Sequence, residues 1–179
     1  MNRLITSVAV AAIVIAPAAL AQSIGEKTGV NSALGISPTT QDFVKEAATS
    51  DMLEVAAAKV AEEKGNAEEK KFAQQMVTDH SKSSADIKGM VTSGDVKADI
   101  PTTLDDSSQK KLDKLRDTRA AAFSSEYDPM QVSAHKDAVS LFERYSKSGD
   151  NAKLKDWAGK TLPIIRHHLE MAEALQKRD

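Results

Sequence analysis

Apolar residues recur along this chain at heptad-like, helical spacing, and four such stripes can be followed. The first runs through Phe43, Ala47, Ser50, Glu54, Ala57 and Ala61. The second takes Phe72, Met76, His80, Ser83, Ile87 and Met90. The third takes Phe123, Tyr127, Gln131, His135, Ala138, Phe142 and Tyr145. The fourth takes Leu154, Trp157, Thr161, Ile164, His168, Met171 with Ala172, and Leu175.

The ends of these stripes carry helix signals. The first helix is predicted over about Thr40 to Lys64, stopped by Gly65 as a C′ residue. Asn66 with Glu69 forms a capping box for the second, which runs to about Ser93 and stops at Gly94. A shorter helix is expected over about Leu104 to Thr118. The third long segment covers Ala120 to Lys147, with Asp128-Pro129 either kinking it or restarting it. Asp150 is expected to cap the last helix, which runs to about Lys177 with a kink near Pro163. Short turns between long helices predict an all-α, antiparallel four-helix bundle over residues 40–177, with an additional short helix before the third long one. Residues 22–39, punctuated by Gly25, Gly29, Gly35 and Pro38, read as a flexible leader.

Each long stripe carries one ionisable residue near its middle: Glu54, His80, His135 and His168. Counted from the connecting turns at about 1.5 Å per residue, their heights agree to about one helical turn. A rival phase of the first helix, through Val44, Ala48, Met52 and Val55, turns Glu54 to the edge. An inward carboxylate and three inward imidazoles must be paired, neutralised or metal-bound. Imidazole suits zinc, iron or copper, and a carboxylate completes a mixed site. One reading is therefore a single transition-metal ion held by Glu54, His80, His135 and His168. The other is a metal-free hydrogen-bonded network of the same residues with Tyr127 or Tyr145. Asp79, beside His80, is a candidate orienting group, as is Tyr127. His167 points about 100° away from His168 and is expected on the surface. The methionines read as core filling. No catalytic triad order, phosphate-binding glycine loop or cysteine nucleophile is present.

Composition narrows the picture further. The charge is nearly balanced, 24 basic against 26 acidic residues, and no basic cluster suggests a nucleic-acid partner. Arg3, the apolar run Val8 to Ala16, and Ala19-Leu20-Ala21 form the three regions of a secretory signal over residues 1–21. Cleavage is expected after Ala21, giving a periplasmic or secreted product. The apolar run is too short to span a bilayer. With no cysteine, disulfides and a cysteine-linked lipid are both excluded. A non-enzymatic envelope protein that docks a partner is the alternative to metal binding.

Several segments together resemble a known family. They are Asp42-Phe43-Val44 with Glu54, the run Phe72 to His80, Phe123 with Tyr127 and His135, and Leu162-Pro163 with His168-Leu169. Over nearly all of residues 40–176 the chain resembles the bacterial domain of unknown function 4142 family. The resemblance implies an exported, ferritin-like four-helix bundle. Di-iron centres of ferritin-like proteins use a Glu-x-x-His pair on each of two helices. Here Val77 stands three before His80 and Ile165 three before His168, so a single-metal site, or a degenerate one that no longer binds, is expected instead.

Overall fold

The computed structural model describes residues 24–26 and 28–178. The expected export segment, residues 1–21, lies outside the described residues. The described chain is helical: α1 (Val30–Leu34), α2 (Thr40–Lys64), α3 (Ala67–Thr92), α4 (Asp106–Asp117), a 3₁₀ turn (Ala120–Ala122), α5 (Phe123–Ser148) and α6 (Ala152–Gln176). No helix among the described residues is long and apolar enough to cross a membrane.

Local chemistry explains most boundaries. Thr39 opens α2, its Oγ1 accepting from the Asp42 N–H. Asn66 and Glu69 form the expected capping box of α3. Gly65 departs from expectation, being extended (φ −71°) rather than left-handed. Its requirement is space, since a Cβ there would sit 2.6 Å from the Ala61 carbonyl oxygen and 2.9 Å from the Glu69 carboxylate. Asp128-Pro129 neither restarts nor interrupts α5, which begins at Phe123 and continues through the proline. The cap of α6 is Asn151, not Asp150, with its side chain accepting from the Leu154 N–H. Asp150 is engaged elsewhere, accepting from Thr40 Oγ1 at 2.5 Å and from the Tyr145 hydroxyl at 3.2 Å.

The α2–α3 and α5–α6 pairs form two hairpins, each closed by a short turn. Backbones approach closely within each hairpin and more rarely between them. The space between is filled by large side chains in two apolar clusters. Leu53, Phe72, Met76, Phe123, Tyr127 and Leu175 belong to one, together with Leu112 and Leu115 of α4. Phe43, Ile87, Phe142, Tyr145, Leu154 and Ile165 belong to the other. His80, His135 and His168 lie between the two along their helices, whereas Glu54 lies within the first cluster, between Leu53 and Ala57. The fourth stripe is phased slightly differently from expectation: Ile165 is buried while Ile164 is 46% exposed.

The leader region carries a short helix. Gly29 and Gly35 bracket α1 with φ of 75° and 68°, a left-handed conformation that glycine adopts without steric cost. Its attachment to α5 is mostly polar. The Arg144 guanidinium grips Glu26 through two N–H···O bonds of 2.5 and 3.0 Å and also donates to the Ile36 carbonyl at 2.7 Å. Ser32 meets Ser140 at 2.8 Å, and Asn31 is buried. The apolar residues Ile24, Val30, Leu34 and Ile36 face solvent instead. Periodicity could not reveal an element whose apolar side is turned outward.

Glu46 of α2 feels the same charges. Burial first, and then Glu26, push its carboxyl up to about 7, against the pull of Arg144. A carboxyl raised on folding favours the folded state fully below its unfolded value of 4.5, and that contribution is lost as pH rises through 7. Glu46→Gln should therefore raise the melting temperature by a few degrees at pH 8 and leave it unchanged at pH 4.5. Equal melting shifts at the two pH values would contradict this.

Candidate metal centre

Helical spacing brings three imidazoles to one level of the bundle. His80 projects from α3, His135 from α5 and His168 from α6, and all three are buried. Their ring centroids lie 5.5 to 5.8 Å apart. One ring nitrogen from each lies within 4.8 Å of those of the other two. Tetrahedral coordination at ordinary metal–nitrogen lengths needs separations of about 3.4 Å, so small side-chain rotations would close the set.

Each ring is held by an oxygen on one nitrogen only. His80 Nδ1 meets Asp51 Oδ1 at 2.8 Å. His135 Nδ1 meets the Gln131 carbonyl at 2.9 Å. His168 Nε2 meets Asp79 Oδ2 at 2.8 Å. A carbonyl oxygen can only accept, so His135 carries its proton on Nδ1 and a lone pair on Nε2. A carboxylate likewise accepts from the other two rings. The remaining nitrogens, His80 Nε2, His135 Nε2 and His168 Nδ1, are buried and have no hydrogen-bond partner. An imidazole steadied by an oxygen on one nitrogen and free on the other is the arrangement of metal-ligating histidine.

The electrostatics keep two of the rings neutral. Burial pushes the His135 imidazole down, against the Glu54 charge. Burial likewise lowers His168, to about 4, against its hydrogen bond to Asp79, with His80 and His135 adding to the fall. For His80 burial is again the largest effect, but the contact with Asp51 prevails and raises it. Asp51 is itself raised by burial, against its bonds to His80 and to serine hydroxyls.

Of the anticipated residues, the three histidines come together and Glu54 stands beside them. Glu54 is 1% exposed and neither carboxylate oxygen has a partner. It does not join the three-nitrogen cluster, though its charge acts on His80, His135 and Tyr127. Asp79 orients His168 across the bundle rather than its neighbour His80. Tyr127 bonds to no histidine. It stacks on Phe123, and its hydroxyl is buried without a partner. His167 is on the surface, 3.7 Å from Glu170.

Two participants were not anticipated: Asp51 and the Gln131 backbone. Asp51 was legible in principle. The buried seam of α2 runs through Val44, Ala47, Asp51, Glu54, Ala58 and Ala61, a strict alternation of three and four. Asp51 and Glu54 are its two central positions. The site opens on a cleft of about 1280 Å³ lined by Asp51, Asp79, His80 and His168, with leader residues Glu26 and Ser32 also contributing to its wall.

The unfolded chain takes up a proton at His168 near pH 6.5, whereas the folded chain does so only near 4. Stability carried by neutral His168 is therefore present above 6.5 and lost on acidification towards 4; His135 acts in the same sense and His80 in the opposite one. In a proton NMR titration of metal-free protein, His168 should titrate near pH 4. A midpoint near 6.5 would show that the ring is not held as described.

No curated protein and no solved structure matches the chain. The profile of a family described as a domain of unknown function, DUF4142, matches residues 25–175, taking in the leader helix as well as the four long helices. The chain therefore belongs to the DUF4142 family.

Proposed function

We propose that this chain is an exported helical-bundle protein of ferritin-like arrangement that binds one transition-metal ion through His80, His135 and His168. The observation that carries the reading is the set of three unpartnered, buried ring nitrogens, each on a ring fixed from behind by an oxygen. Leaving such a group unsatisfied costs about 1–3 kcal/mol. Three at one place call for a common occupant, and a cation accepts all three lone pairs. The charge of a divalent ion would be balanced by Asp51, Asp79 and Glu54.

The donor set favours zinc or copper, with iron also compatible. A two-iron centre is disfavoured. Val77, Val132 and Ile165 stand three residues before the three histidines, where Glu-x-x-His pairs would need carboxylates. Because His80 belongs to one hairpin and His135 and His168 to the other, the ion would also clamp the two hairpins together.

Protein purified without an affinity tag should contain about one metal ion per chain, and His135→Ala should lose nearly all of it. Equal metal content in the two would refute the reading. Asp79→Asn keeps the ring in place through a weaker acceptor and should lower metal affinity about 10–100-fold, measured by competition with a chelator.

A second reading draws on the leader, where Ile24, Val30, Leu34 and Ile36 present apolar surface to solvent. In that reading the chain is an envelope protein that docks a partner, and the histidine layer serves packing alone. It requires an unchanged melting temperature in chelator, whereas a clamp between hairpins requires a clear fall that is reversed by restoring one metal.

A further inference from the structure

Below the histidines lies a second group of buried polar atoms that the metal reading does not use. Tyr127, Gln131 and His135 stand four residues apart and share one face of α5. Glu54 on α2 acts on this face, its charge being felt by both Tyr127 and His135. Tyr127 and Gln131 are 0% exposed, and Glu54 1%. Five of their side-chain atoms have no hydrogen-bond partner: both Glu54 oxygens, the Tyr127 hydroxyl, and the Gln131 oxygen and nitrogen. Dry burial of such a set is expensive, and buried polar atoms of this kind are commonly met by ordered water.

The atoms define the guest. Glu54 offers only acceptors, the Gln131 amide offers both a donor and an acceptor, and Tyr127 can do either. A molecule that both donates and accepts satisfies them, and an anion meets the Glu54 carboxylate unfavourably. Size is limited as well. None of Glu54, Tyr127, Gln131 or His135 lines the cleft, whose wall includes His80 and His168. All four are at most 1% exposed, so a guest among them is enclosed by side chains and small.

We propose that Glu54, Gln131 and Tyr127 form a closed polar chamber that holds a neutral protic molecule of one or two heavy atoms against the open face of the histidine triad, where it serves as the exogenous ligand of the metal. The inference rests on the metal-binding reading for that last role, but not for the chamber itself. Glu54 is accordingly the acceptor for the guest rather than a fourth protein ligand, in keeping with its place outside the three-nitrogen cluster.

Two measurements separate the parts. In metal-free protein, the Gln131 side-chain amide should show magnetisation transfer to a long-lived buried water; a dry amide overturns the chamber. In the Cu(II)-loaded protein, electron-nuclear double resonance should detect exchangeable protons of one coordinated water, and azide should bind Glu54→Gln at least ten-fold tighter than wild type. A copper centre without coordinated water, or equal azide affinities in the two proteins, overturns the assignment of the guest as metal ligand. If Cu(II) and other transition metals fail to bind while the buried water is present, the chamber stands and the metal-binding reading falls.

Discussion

The structure turns on a constraint set by imidazole in an apolar interior. A buried neutral ring has one N–H that must donate and one lone pair that must be met. In this bundle the first demand is satisfied three times over by oxygens drawn from three elements: Asp51 on α2, the Gln131 carbonyl on α5, and Asp79 on α3. Satisfying it aims the second demand. With one nitrogen of each ring turned towards an oxygen, the other stays buried without a hydrogen-bond partner. The bonds that fix the rings therefore determine what the layer can hold.

The same layer governs how the hairpins meet. The His168–Asp79 and Trp157–Asp86 contacts cross from one hairpin to the other, as do the apolar clusters above and below. Yet one nitrogen of each ring in the layer makes no hydrogen bond at all. A polar layer of this kind costs stability relative to an apolar core of equal volume. Its presence between two well-packed clusters is more readily understood as accommodation of a guest than as packing.

Much of this was legible in the chain, for a physical reason. Against a helical stripe of apolar residues, an ionisable residue is conspicuous, and Glu54, His80, His135 and His168 are each the conspicuous one. Where the stripe was interrupted by ambiguity, legibility failed. Asp51 shares a seam with Glu54, but a phase through Ser50 fits nearly as well until burial distinguishes them. The role of Gln131 rests on its backbone carbonyl, which carries no sequence signal. Asp79 was readable as an orienting group, but its partner lies on another helix, and local spacing points to the wrong histidine. The leader helix failed for the opposite cause: its polar atoms face inward and its apolar ones outward, inverting the rule by which the other helices were found.

That inversion bears on how the centre is reached. A leader fastened by apolar burial would be a permanent part of the core. This one is fastened by a guanidinium–carboxylate fork whose side chains are only 10% and 3% exposed, by a pair of serines and by a buried asparagine, so pulling it away would leave buried charge uncompensated. Its residues wall the cleft that leads to His80 and His168. The tight apolar clusters thus fix the histidine layer from above and below, while the leader's side of the cleft is fastened by polar contacts. Apolar packing and polar fastening act on different sides of the same donor set.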